Sequence, residues 1–249
     1  MIKIKYPNFQ NKISISIIAI LCLLSIFLIT EIFHINSTNQ VNFILDSNHF
    51  GFFWNLISQT ASSKLFIIPL AIIFFYVFFL IKTPLSSKKY LFINFIFLLF
   101  IAFAVKFGLK IITHEPRPFT SVLTKLDLLS KPTDFYKLTK TEKKKIISEA
   151  KHKVNKYKLK NWKKEMNYSF PSGHTIFAMI FLLYWGSFFI KEKKYLSFFI
   201  LAVWALSVSY SRLWLGMHRP IDIYGSILLA YFICLLVPNL TLGASKHQK

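Results

Sequence analysis

Six stretches of about 16 to 21 mostly apolar residues divide the chain, and no other feature constrains its fold as tightly. They fall at 13–33, 65–81, 90–109, 175–190, 195–211 and 221–238. A helix needs about 20 apolar residues to cross the hydrocarbon core of a bilayer. Inside that core every backbone N–H and C=O must be satisfied within the protein, so such runs are expected to be helical. The fold class that follows is all-α: an integral membrane bundle of six transmembrane helices, forming a single domain over residues 1–249. Composition agrees, with 54% hydrophobic and 16% charged residues, against about 45–50% and about 25% in ordinary soluble domains.

That apolar content excludes a disordered chain. The two cysteines, Cys22 and Cys234, both lie inside apolar runs and more than two hundred residues apart, so they are expected to be reduced packing residues. A net charge of +21 is the usual mark of a nucleic-acid binder, but here the charge sits between hydrophobic segments and builds no single basic face. No nucleic-acid partner is expected; the bilayer is. The first run follows Lys3, Lys5 and Lys12 like a signal peptide, yet it is too long for an h-region and no small-residue cleavage site follows, so it is expected to be a retained helix.

Short loops set orientation. Lys3, Lys5 and Lys12, then Lys82, Lys88 and Lys89, then Lys191, Lys193 and Lys194, then Lys246 and Lys249 all fall on one side if six helices alternate. Positive charge in short loops marks the cytoplasm. The 34–64, 110–174 and 212–220 segments then face outward, which in a bacterial inner membrane is the periplasm. Lysines in the long middle segment oppose this count, but long segments cross largely regardless of charge.

Residues 119–170 read as an extramembrane helical insertion between the third and fourth spans. Within it, Thr139 to Tyr157 is expected to form one basic amphipathic helix, opened by a capping box of Thr139 and Glu142, with Ile146, Ile147, Ala150, Val154 and Tyr157 along one side. Such a helix either lies on anionic lipid or packs on the loop as a solvated face.

Among 31 basic residues only three are arginines, Arg117, Arg212 and Arg219, and each lies in an outward segment. Where lysine is the default cation, an arginine points to a site that needs the planar fork, which grips phosphate or carboxylate through two parallel hydrogen bonds. The arginines sit in three ordered blocks: Lys110 with Arg117-Pro118, then Pro171-Ser172-Gly173-His174, then Ser211-Arg212 with His218 and Asp222. Lys110 and Arg117 are seven apart, so a helix continuing to Arg117 would place both on one side. Ser172 is suited to cap the next helix and Gly173 to let backbone approach an anion held at its N-terminus. His218 and Asp222, four apart, allow the carboxylate to hold one imidazole nitrogen while the other faces a reacting centre.

These blocks resemble the signature of the type 2 phosphatidic acid phosphatase superfamily, K-x6-R-P, P-S-G-H and S-R-x5-H-x3-D, with every spacing matched. The stretches Glu115 to Phe119, Phe135 to Leu138, Trp162, Phe170 to Thr175 and Ser211 to Pro220 narrow the resemblance to the bacterial phosphatidylglycerophosphatase B branch. Arg219 departs from that branch, which more often has an aromatic residue there. The resemblance implies a membrane enzyme that removes a terminal phosphate from lipid phosphates: phosphatidylglycerophosphate, with undecaprenyl diphosphate as the alternative. It implies that His218 attacks phosphorus to form a phosphohistidine, that Asp222 orients it, and that His174 protonates the leaving oxygen and then activates water. It assigns Lys110, Arg117, Ser172, Gly173 and Arg212 to phosphate binding, with no metal and no cofactor.

The bland alternatives are snorkelling anchors for isolated lysines and incidental histidines at the interface. On that basis Lys106, His34, His49, His114, His152 and His247 are expected to be structural, and Arg219 a headgroup anchor in preference to a second phosphate contact. Trp54, Trp162 and Trp214 fit an interfacial belt, whereas Trp185 and Trp204 fit packing. An anion transporter would place ionisable residues near span centres, which these blocks do not. A silent lipid-binding scaffold is the remaining rival. Nothing in the sequence fixes an oligomeric state.

Overall fold

A computed structural model describes residues 12–32 and 48–236. Lys3, Lys5, His34, Lys246, His247 and Lys249 therefore lie outside the described residues, as does the side chain of His49. The described residues are helical with no strand, in ten α-helices: α1 Lys12–Ile32, α2 Asn48–Thr60, α3 Ile67–Phe75, α4 Leu85–Thr113, α5 Pro118–Lys125, α6 Lys140–Glu149, α7 Lys156–Lys164, α8 Gly173–Lys191, α9 Tyr195–Trp214 and α10 Pro220–Leu236. Four of them, α1, α4, α8 and α9, are long and apolar enough to cross a membrane, and two shorter apolar helices, Ile67–Leu80 and Pro220–Leu236, accompany them.

α8 is the axis of the bundle. It is apolar on every side, as a helix buried all round must be, and nearly all its residues from Thr175 to Phe189 are sealed by α1, α4, α9 and α10. The outer helices show the opposite pattern. Ile17, Leu24 and Phe27 of α1, Phe100 and Phe107 of α4, and Leu196 and Phe199 of α9 point outward uncovered, an apolar area that water would not tolerate and lipid would. Small polar bonds stitch helices inside the bundle, as Tyr231 to Ser16 (3.1 Å) and Tyr224 to Thr30 (3.0 Å) do between α10 and α1.

Lys12, the 81–84 turn and the 192–194 turn gather at one end of the bundle. Lys88 does not join their surface charge. It is buried and donates to Phe78 O (2.7 Å), a carbonyl within the π-helical turn Tyr76–Leu80 that continues α3.

At the other end α4, 29 residues and about 44 Å long, exceeds a hydrocarbon core of about 30 Å and carries Lys110 in its last turn. It stops at His114, a left-handed C-cap with φ 46°. One continuous helix to Arg117 does not form. Pro116 and Pro118 bracket Arg117, which is held extended as the N-cap of α5 with Pro118 at its first position.

The insertion is helical but not as one helix over 139–157. The capping box of Thr139 and Glu142 opens α6 as expected. A 3-10 turn at Ala150–His152 then ends it, and Asn155, accepting from Tyr157 N (2.9 Å), caps a separate helix, α7. Ile147, Ala150 and Val154 are buried beneath.

Trp162 and Trp214 are buried and do not form a belt. Trp162 stacks on Phe119 (5.1 Å, 16°) and donates to Leu215 O (2.8 Å), which clamps the insertion onto the α9–α10 turn. There Gly216, at φ 66°, lets the chain reverse against the same indole. The 34–64 segment also holds a helix with no counterpart among the apolar runs: α2, packed on α9 and α7.

Candidate active site

A pocket of about 520 Å³ opens at this end of the bundle between the α2–α3 turn, α4, the start of α8 and the 165–167 loop. Its lining mixes cationic side chains, Lys106, Lys110, Lys164 and Arg117, with apolar ones, Phe66, Phe103 and Phe177, and Lys106 Nζ lies 4.7 Å over the Phe103 ring. His174, Gly173 and Glu165 line it as well.

Arg117 and Arg212 are both buried, and both point at Glu165. Arg212 NH2 reaches Oε1 at 2.8 Å and Arg117 NH2 reaches Oε2 at 3.2 Å. Arg117 is held by Asn167, through Nε to the carbonyl (2.7 Å) and NH2 to Oδ1 (2.7 Å), and by Met217 O (3.0 Å). Arg212 is held by Ser58 of α2, which accepts from NH1 at 2.7 Å. Its Nε is buried without an acceptor. Burial works against ionisation of Glu165, but the neighbouring cations, Arg212 foremost, outweigh it and hold the carboxyl well below the usual range.

His218 lies directly beside them. Nε2 is 3.3 Å from Arg117 NH1; Nδ1 is 3.5 Å from Asp222 Oδ2 and 3.3 Å from Ser169 Oγ. Asp222 is fixed in turn, accepting at Oδ2 from Ser169 Oγ (2.6 Å) and from Arg219 N (2.8 Å). Burial, then the charges of Arg117, Arg212 and Lys110, depress the basicity of His218 well below the ordinary imidazole range. The ring is therefore neutral at neutral pH. A guanidinium can only donate, so Arg117 NH1 at Nε2 favours the tautomer whose proton is on Nδ1, toward Asp222 and Ser169, with the lone pair on Nε2.

Ser172 caps α8, its hydroxyl accepting from Thr175 N (3.4 Å), while its own amide donates to Ser226 Oγ (2.8 Å). The amides of Gly173 and His174 follow it in the first turn, where no intrahelical acceptor exists. His174 Nε2 stands 3.8 Å from Glu165 Oε1. Lys110 Nζ donates to Tyr168 O and Ser169 O, securing the loop that carries Ser169.

The structure thus brings Lys110, Arg117, Gly173, His174, Arg212, His218 and Asp222 to one end and around one seat, with Ser172 at its edge as a cap. Lys106, expected to be structural, lines the pocket. Arg219 is no free anchor: NH1 pairs with Glu115 and with Pro116 O (3.1 Å), joining the first and third sequence blocks. Sequence reasoning passed over Glu165, Ser169, Asn167 and Ser58. Glu165 alone had a signal, as a solitary acid after a lysine-rich helix and nine residues before His174.

A helix bundle with an uncovered apolar exterior, holding at one end two buried arginines that share the Glu165 carboxylate beside two histidines, fits the class of integral membrane phosphatases. Residues 90–245 match the PAP2 superfamily, and the chain belongs to it. It is similar to phosphatidylglycerophosphatase B of Escherichia coli K12, at 31% identity over 183 residues covering 72% of this chain and 70% of that protein. The same figures describe its likeness to phosphatidylglycerophosphatase B of Shigella flexneri. The Haemophilus influenzae protein of that name is 36% identical over 138 residues, 52% of this chain and 57% of its own length.

Proposed function

We propose that this protein removes the terminal phosphate of phosphatidylglycerophosphate, releasing phosphatidylglycerol, and does so through a phosphohistidine on His218. The observation that carries the reading is the convergence of two buried arginines on a single anion between His218 and His174. A phosphomonoester near two negative charges fits that seat. Arg117 and Arg212 hold its oxygens, the first-turn amides of α8 add donors, and Lys106 and Lys110 supply surrounding positive charge. The apolar lining residues Phe66, Phe103 and Phe177 suit the lipid chains.

The chemistry follows from the two histidines. His218 Nε2 attacks phosphorus while the bond from phosphorus to the lipid oxygen breaks, and His174 gives that oxygen a proton. The Nδ1–H of His218 remains directed at Asp222, which offsets the positive charge the ring acquires. His174, now a base, takes a proton from water; the water oxygen attacks phosphorus, the N–P bond breaks, and phosphate leaves with His218 restored.

The same proposal places six spans in a bacterial inner membrane, with the two shorter apolar helices crossing alongside the four longer ones and the site at the periplasmic face. It is tested by phosphate release from a panel of lipid phosphates by detergent-purified protein, with His218→Ala as the blank. The highest kcat/KM is expected on phosphatidylglycerophosphate. Preference for a lipid diphosphate would overturn the substrate, and no release from any member would overturn the enzyme.

A further inference from the structure

The seat described above is occupied by the protein's own carboxylate. Glu165 spans the two arginines, one oxygen on each, and stands 3.8 Å from His174, where a bound phosphate's oxygens belong. It fills the seat incompletely. A carboxylate has two oxygens, and Arg212 retains a buried Nε–H with no acceptor. A phosphomonoester brings three terminal oxygens and can take Nε and NH2 of Arg212 side by side, NH2 of Arg117, and a first-turn amide of α8. A phosphodiester brings only two, and one negative charge, the same as the carboxylate it would replace.

Resting on the phosphatase reading, we infer that Glu165 sets an affinity threshold at the site: it is a resident anion that every ligand must displace, and only a phosphomonoester binds tightly enough to do so. The surrounding bilayer is crowded with phosphodiester lipids, including the product of the proposed reaction. Displacing Glu165 weakens all oxyanions by one common factor. Monoesters keep a surplus through the added oxygen and charge, whereas diesters are pushed below effective occupancy. The carboxylate has somewhere to go. It borders the pocket, 29% exposed, and Lys64, Lys106 and Lys164 also line that pocket, which keeps it among cations when it swings outward.

Two binding measurements test this on the detergent-purified full chain. In the first, thermal shift and inhibition titrations compare wild type with Glu165→Gln, using inorganic phosphate and dimethyl phosphate as probes. Glu165→Gln is expected to bind inorganic phosphate at least tenfold tighter and to acquire measurable affinity for dimethyl phosphate, which wild type lacks. Glu165→Asp, too short to span both arginines, should fall between. In the second, needing no variant, carbodiimide labelling of Glu165 in wild type is read by peptide mass spectrometry with and without inorganic phosphate. Labelling should rise severalfold as the carboxylate is driven into the pocket mouth. Unchanged phosphate affinity in both variants, or labelling that is unchanged or reduced by phosphate, would overturn the inference. Intact phosphate-driven labelling in a protein that hydrolyses no lipid phosphate would overturn the phosphatase reading and leave the displaceable carboxylate standing.

Discussion

Arg212 is enclosed by protein on every side, so its charge must be met by fixed groups, here Ser58 and Glu165. A lysine at that position keeps the charge and loses the fork. Arg117 is still less replaceable, because its three nitrogens hold Asn167, Met217 and Glu165 at once. Arg212→Lys and Arg117→Lys are each expected to lower kcat/KM by about a hundredfold or more, the usual effect of losing one fixed donor at a developing anion, about 2.7 to 4 kcal/mol. Steady-state assay against wild type checks this, and near-normal rates in both would mean that charge alone suffices. The two histidines separate differently. His218→Ala should trap no phosphate on the protein in acid-quenched labelling. His174→Ala should still form the phosphoenzyme with a substrate whose leaving group needs little protonation, and then accumulate it, since the water step lacks its base. The residues that carry these roles were readable in sequence because their spacings are fixed by helix ends. The residues that hold them in place, Ser169, Asn167 and Ser58, were not, because their partners lie tens of residues away and no local pattern marks them.

At the scale of elements, the positions of the helices followed from apolar runs because a stretch apolar on all sides has no other stable state in a bilayer. What eluded that logic were elements that do not span. α2 is short and of mixed polarity, and it forms because Asn55 accepts from Asn161 (2.9 Å) and Ser58 meets Arg212. The break between α6 and α7 depends on a local capping choice at Asn155 against a continuous apolar stripe. The element that aims His174 is the Phe170–Gly173 segment, and its rear support is α10. A Cβ on Gly225 would lie 2.4 Å from Phe170 Cε2 and 2.8 Å from Cζ, so the ring must move. Gly225→Ala is expected to retain the fold, overpacking costing about 1–3 kcal/mol against a helix-propensity gain of up to about 1 kcal/mol. Its kcat should nevertheless fall by about tenfold to a hundredfold, because a shift of about 1 Å at a catalytic group has effects of that order. Gly108→Ala, whose Cβ meets nothing within 4 Å, is the matched control and should leave kcat unchanged. Equal kcat in the two variants would show that Phe170 does not set the position of His174.

For the whole molecule, the consequential question is which face of the membrane the site occupies. Helix direction places Lys12, Lys82, Lys89, Lys191, Lys193 and Lys194 together at the end opposite His218, and the short turns among them carry the charge that orientation obeys. The insertion opposes them with Lys140, Lys144, Lys145, Lys151, Lys153, Lys156 and Lys160, all exposed at the site end. The short turns should prevail, because a long folded segment is translocated largely regardless of its charge. The expected topology therefore puts the insertion and the site outside the cytoplasm. Single cysteines at Ser130 and Thr141, both exposed in the insertion, introduced into a Cys22→Ala, Cys234→Ala background that removes the two buried thiols, should react with an impermeant maleimide in intact spheroplasts. A third cysteine at Lys193, in the turn between α8 and α9, should react only after lysis. The reverse pattern would turn the molecule over. Because His174, Arg117 and His218 share one end in either case, inversion would leave the chemistry intact and move its substrate to the cytoplasmic leaflet.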